Sequence, residues 1–168
     1  YTLDDASLQK VFDEFIALAD KKKNVYDADI IALIDKQSNV SVDRWQLVQF
    51  QVGAGTGTIP TASIVLRDTS KPEESNLYRE AVIGDGPIDA VFKAMERIIG
   101  VTAELKDYQV RAVSGGEDAQ GDASVEIEYL GRRYHGKDVS TDIIEASARA
   151  YLKALNRALS ENVARPAT

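Results

Sequence analysis

Ala90-Val91-Phe92-Lys93-Ala94-Met95-Glu96-Arg97 has an echo later in the same chain, Ala150-Tyr151-Leu152-Lys153-Ala154-Leu155-Asn156-Arg157. Both strings carry apolar residues at helical spacing, and the segments before each follow the same order. Ahead of the first, residues 44–52 are rich in Trp, Val, Phe and Gln and end at Gly53-Ala54-Gly55-Thr56-Gly57-Thr58, a strand and its turn. Residues 59–67 form a second strand, whose Pro60 fits only an edge or a first position. After a polar loop, 68–76, comes a third strand, 77–83. Gly84-Asp85-Gly86-Pro87 then opens a helix: Pro at the first position with acids around it is a start signal, and Gly100 is the stop. Ile88, Val91, Phe92, Met95, Ile98 and Ile99 supply its apolar face.

Ahead of the second string the order recurs. Residues 105–114 read as a strand and 115–121 as a glycine-rich loop. Ala123, Val125, Ile127 and Tyr129 then alternate with Ser124, Glu126 and Glu128, the mark of a half-buried strand. Gly131 turns the chain into 132–139, and Ser140-Thr141-Asp142 caps a long helix running to about residue 158. The expected fold is therefore α+β: two βββα units, about 44–100 and 104–158, related by a pseudo-twofold axis with their sheets buried against two helices. Residues 1–40 stand apart as a small helical subdomain, with one helix on Leu8, Val11, Phe12, Phe15, Leu18 and Ala19 and a shorter one from Asp27 through Ile34. The remainder, 41–168, is one domain.

Composition limits function. Of 168 residues, 44% are hydrophobic and 28% charged, so a packed core is within reach. A net charge of −7 disfavours nucleic acid and anionic membranes, which need a basic face. No apolar run is long enough to span a bilayer, and the expected location is the cytoplasm. Cysteine is absent, which excludes disulfides, thiolate zinc sites and thiol nucleophiles. His135 is the sole histidine, so no two-histidine metal site can form. The chain opens on Tyr1 rather than Met, as expected of a piece of a longer protein.

Motifs with chemistry are few. Gly53–Gly57 leads into a Pro and a strand rather than a helix, so it is no dinucleotide loop. Gly84-Asp85-Gly86 does lie between a strand and a helix, where free N–H groups can hold a small anion; a plain helix cap is the competing reading. Asp118-Ala119-Gln120-Gly121-Asp122 lacks the spacing and closing Glu of an EF-hand. No Ser, His and carboxylate set suggests an active site. In the long helix, Ile143, Ile144, Ala146, Ala148, Ala150, Tyr151, Leu152 and Leu155 put apolar groups on more than one side. One sheet face cannot cover them all, and a symmetric partner, hence a homodimer, is expected.

Several strings resemble one family. Phe15-Ile16-Ala17-Leu18-Ala19-Asp20-Lys21-Lys22-Lys23, with Asp27-Ala28-Asp29-Ile30, resembles the helical linker of 2-isopropylmalate synthases. Gly55-Thr56-Gly57-Thr58-Ile59-Pro60-Thr61-Ala62, Gly84-Asp85-Gly86-Pro87-Ile88-Asp89-Ala90, Asp118-Ala119-Gln120-Gly121 and the stretch 140–152 resemble their C-terminal allosteric domain. Nearly the whole chain is covered, in order. The resemblance implies a regulatory fragment of an enzyme that condenses acetyl-CoA with 2-oxoisovalerate in leucine synthesis. The fragment would lack the catalytic TIM barrel, with its divalent metal on a His-x-His pair and an Asp, and would hold no cofactor of its own. Leucine as feedback effector, a homodimer, and the barrel of the same parent chain are the implied partners. Citramalate synthases share the architecture and bind isoleucine.

The family's effector pocket carries over by position. Gly84 and Gly86 match the glycines before the first helix, and Ile88 and Asp89 the first-turn pair that touches the effector. Asp89 would face the ammonium group, or else serve only as an acid favoured by the helix dipole. Leu105, Tyr108 and Ala112 match an apolar wall and its tyrosine, with core packing as the alternative. Ala119 and Gly121 match the following loop, and Val139, Ser140 and Thr141 the start of the second helix. Lys137-Asp138 stands where many relatives have small residues.

Overall fold

The computed structural model describes residues 5–21, 30, 34, 43–112 and 119–163. Residues 1–43 and 44–168 are two compact units. In the first, α1 spans Asp5–Lys21. Its Val11 is buried, whereas Leu8, Phe12 and Ile16 form an exposed apolar stripe one turn apart. The second helix expected from Asp27 lies outside the described residues except for Ile30 and Ile34, both helical.

The second unit is two βββα repeats. β1 (Trp45–Gly53), β2 (Thr61–Asp68) and β3 (Leu77–Ile83) form an antiparallel sheet in sequence order, followed by α2 (Pro87–Ile99). β4 (Glu104–Ala112), β5 (Gly121–Tyr129) and β6 (Arg132–Ser140) repeat that order ahead of α3 (Ile143–Val163). Pro60 falls just before β2, and the capping segment 140–142 just before α3, which runs five residues beyond the expected end at 158. Gly100 ends α2 with φ 78° and returns its N–H to the Glu96 carbonyl at 2.8 Å. The octapeptide echo starts in the first turn of α2 but in the second turn of α3, so the second helix is the first with a turn added at its start.

Each central strand turns alternate residues to the helices: Ala62, Ile64 and Leu66 from β2, and Ala123, Val125 and Ile127 from β5, all buried. α2 packs on β2 and β3, α3 on β5 and β6, and the helices meet each other, with α3 also reaching β1. Phe92 of α2 stacks on Tyr151 of α3, with centroids 3.9 Å apart and planes within 10°. Gly136 lets α3 lie on β6 almost backbone to backbone, since a Cβ there would overlap the Ala150 carbonyl and stand 2.8 Å from the Ala154 nitrogen.

This middle-layer position corrects one argument from the sequence. Ala146, Ala148, Ala150, Tyr151, Leu152 and Leu155 are all buried within the chain itself, against β5, β6, β1 and α2. Apolar groups around the helix thus need no second copy to cover them. Among the exposed apolar side chains of this unit are Leu105 and Val110 of β4.

Candidate effector site

β4 is an edge strand that carries a bulge. Its pairing with β5 slips between Leu105 and Asp107, so Lys106 is the extra residue. Strict alternation would place Leu105 on the face opposite Tyr108 and Ala112. The bulge returns it, and Leu105, Tyr108, Val110 and Ala112 stand opposite Ile127, Val125, Ala123 and Gly121, all on the helix side. β1 has the same slip between Leu47 and Gln49, which brings Leu47 to the side of Phe50 and Val52. Neither helix packs broadly on β4, and Leu105 stays 43% exposed and Val110 45%. The result is an apolar strip beside a helix layer, open to an occupant.

Tyr108 ties that strip to both helices. Its ring meets Phe92 edge-on at 6.1 Å and its hydroxyl lies 2.6 Å from Ser147 Oγ. Ser147 is buried and donates to the Ile143 carbonyl at 2.7 Å, so Tyr108 can donate to Ser147 Oγ. Ile88 stands one turn before Phe92 on the same stripe of α2, half-buried against the core.

The two helix starts differ in chemistry. At α3, Asp142 Oδ1 accepts the N–H groups of Ile144 (2.9 Å) and Glu145 (3.3 Å), while Ser140 Oγ accepts the Asp142 N–H and donates to Glu145 Oε2. That start is closed by its own side chains. At α2 the cap is Gly86, in extended backbone and with no side chain to give. No side chain caps the first amides of α2.

The remaining candidates fall in different places. Gly84 serves packing: a Cβ would stand 2.5 Å from the Ala90 nitrogen, so α2 could not fold back on the end of β3. Asp89 acts within its own helix start, where Oδ2 accepts the Asp85 N–H at 2.8 Å and pairs with Lys93 at 2.7 Å. Lys93 and that N–H hold its carboxyl below the usual range. Ala112, Gly121 and Ser140 form one row across the end of the second sheet, with Ile143 against Gly121. Ala119 is half-buried just before β5, and Thr141 is exposed between β6 and α3. Val139 does not belong with them: it pairs with Asp122, on the face turned away from the helices, because β6 alternates and Ser140 takes the inner side. Lys137 and Asp138 are taken up by ion pairs with Asp122 and Lys153. Val110 belongs to the strip and Phe92 and Ser147 touch its Tyr108, although the sequence offers none of them as a site residue; Phe92 shows there only as part of the helix's apolar face, a signal core residues share. Among the described residues no three His, Cys, Asp or Glu side chains cluster as a metal site, and no helix is long and apolar enough to cross a membrane.

Known proteins are similar to this chain in sequence. The family model of the LeuA allosteric (dimerisation) domain matches residues 24–159. The chain is 42% identical over 168 residues to 2-isopropylmalate synthase of Heliobacterium modesticaldum, covering all of this chain and 32% of that protein. It is 46% identical over 162 residues to that of Ruminiclostridium cellulolyticum, covering 96% and 30%. With that of Rhodopirellula baltica it shares 41% over 157 residues, covering 93% and 29%. The chain thus spans under a third of the length of these relatives, in their C-terminal part. Its duplicated βββα architecture and the match across most of its length make it a member of the LeuA allosteric (dimerisation) domain family.

Proposed function

We propose that this chain is the regulatory part of a 2-isopropylmalate synthase and binds leucine as a feedback effector. The observation that carries the reading is an open apolar strip on β4 whose Tyr108 meets Phe92 of α2, one turn beyond Ile88 in a helix whose cap has no side chain. Leucine offers a carboxylate for the α2 amides and a branched tail for Leu105, Ala112 and Ile88, with Tyr108 closing the space. Asp89, partly exposed at the start of α2, is the acid offered to the ammonium, and would share itself between that group and Lys93.

The rest follows from the relatives' names and family. A second copy would cover Leu105 and Val110, making a homodimer whose interface adjoins the effector. Catalysis would reside in a barrel elsewhere in the parent chain, where acetyl-CoA and 2-oxoisovalerate condense on a divalent metal. No residue of this chain is assigned to that chemistry.

Calorimetric titration with leucine and with isoleucine tests the reading. Saturable binding that favours leucine, lost when Ala112→Leu fills the strip, is the expected outcome. Preference for isoleucine would move the parent to the citramalate synthases, and no binding of either would leave a dimerisation module.

A further inference from the structure

The first residues of the second unit are fastened to α3 by a side chain far away in sequence. Asn156 Oδ1 accepts the Trp45 N–H at 3.0 Å, and Asn156 Nδ2 donates to the Trp45 carbonyl at 2.9 Å. One amide side chain thus grips both polar groups of one backbone residue, in a buried place, as a neighbouring strand would. The residue before is held as firmly. Arg44 donates through Nε and Nη2 to both oxygens of the buried Asp68, and Thr69 donates to the Arg44 carbonyl from its N–H and its hydroxyl. Arg44 is also where the second unit begins, directly after Asp43.

The other repeat has a counterpart. Glu96 Oε1 of α2 accepts the Ala103 N–H at 3.0 Å, at the threshold of β4, and the Tyr151 hydroxyl of α3 at 2.7 Å. Each helix therefore fixes the backbone that opens the next repeat's first strand. For α2 that backbone is seven residues further along; for α3 it is the start of the whole unit.

α3 carries both ends of a connection. Its first turns hold Ile143, against Gly121, and Ser147, bonded to Tyr108 of the open strip. Asn156 follows Ser147 on the same unbroken helix, about 14 Å along the axis. No Gly or Pro interrupts α3, and it lies closely on β6 at Gly136, so its two ends are joined by one continuous helix.

We infer that Asn156 is the coupling residue of this domain: α3 transmits occupancy of the β4 strip to the Arg44–Trp45 backbone, and thence to the chain that precedes it. The inference rests on the effector reading above and adds a route to it. Binding at Tyr108, whose hydroxyl meets Ser147, biases the position of α3, and the Asn156 amide converts that bias into a displacement of the junction. Coupling of this kind runs through an element whose position both sites bias, and α3 is the element that contacts both.

The test uses the full-length parent synthase, wild type and Asn156→Leu, with leucine binding measured by calorimetry and inhibition by initial rates. In wild type, leucine should change backbone amide exchange at residues 44–46. In Asn156→Leu, leucine affinity should stay within about threefold while the concentration for half-inhibition rises about tenfold or more. Undiminished inhibition in the variant overturns the inference, and so does loss of leucine binding, which would make Asn156 part of the binding site. If the variant does not fold, the wild-type exchange experiment decides: unchanged exchange at 44–46 on leucine binding refutes the route. Failure of wild type to bind leucine would instead strike the effector reading itself.

Discussion

Asp68 is a buried carboxylate that pairs with a half-exposed cation. The Arg44 guanidinium foremost, with Ser70 assisting against the cost of burial, holds its carboxyl at about 2 from an ordinary 3.8. A carboxyl whose folded value is depressed stabilises the fold fully above the unfolded value and loses that contribution as pH falls through the folded one. The window is therefore pH 4 down to about 2, and the amount about 2 kcal/mol. Acid unfolding of Asp68→Asn should be flatter across that window than wild type, and parallel acid limbs would show that the pair contributes nothing. Asp89 sits in the opposite situation. Its side chain is 38% exposed and already engaged by Lys93 and the Asp85 N–H. Asp89→Ala should weaken leucine binding by only about tenfold, near 1.4 kcal/mol, well short of what a buried unpaired ammonium would cost. A loss of a hundredfold or more in a titration would place the ammonium deep against Asp89 after all.

Glycines set the distance between layers at the scale of elements. Gly136→Ala must push α3 off β6, because the obstructing atoms are helix backbone and cannot rotate away. The expected loss is about 1–3 kcal/mol, the usual cost of overpacking, read as a lower denaturation midpoint with little change in slope. An unchanged midpoint would mean that the helix and sheet are not in contact as described. Gly121→Ala meets only the end of the Ile143 side chain, which can turn aside, so it should be far milder for stability while altering the row that borders the strip. Bulges act at the same scale. The slip at Lys106 places Leu105 beside Tyr108; deletion of Lys106 leaves the two residues two positions apart, so plain alternation should keep Leu105 on the inner face, and leucine affinity in a titration should be retained together with the sheet.

For the whole molecule the decisive feature is a helix layer buried on several sides by one chain. That arrangement buries the apolar groups of α3 while β4 exposes Leu105 and Val110, so assembly should depend on β4 rather than on α3. Replacing both Leu105 and Val110 with Lys should shift the purified chain to monomer in light scattering at high micromolar concentration, with helical content unchanged. A persistent dimer would put the interface elsewhere. Purified chain supplied with acetyl-CoA, 2-oxoisovalerate and a divalent metal should release no CoA, and any turnover would contradict a purely regulatory role.

Periodicity and turn chemistry are local, and they sufficed for the strands, both helices of the repeats and the duplication itself. Gly100 and Pro87 mark the ends of α2 because backbone torsion and a missing N–H act within a few residues. The absence of cysteine likewise ruled out disulfides and thiolate chemistry in these residues from composition alone. What depended on neighbours across the fold was illegible. A bulge shows only when a partner strand defines the register, so the face of Leu105 could not be read from alternation; nor could the outward turn of Val139, whose side of β6 is set by pairing with Asp122. Apolar residues all around α3 look the same in sequence whether a second copy or the chain's own sheets cover them. The Asn156 grip joins residues 111 positions apart and leaves no mark on either segment. Local sterics and solvation write secondary structure into the sequence; which face meets which neighbour is decided only when the layers close on one another.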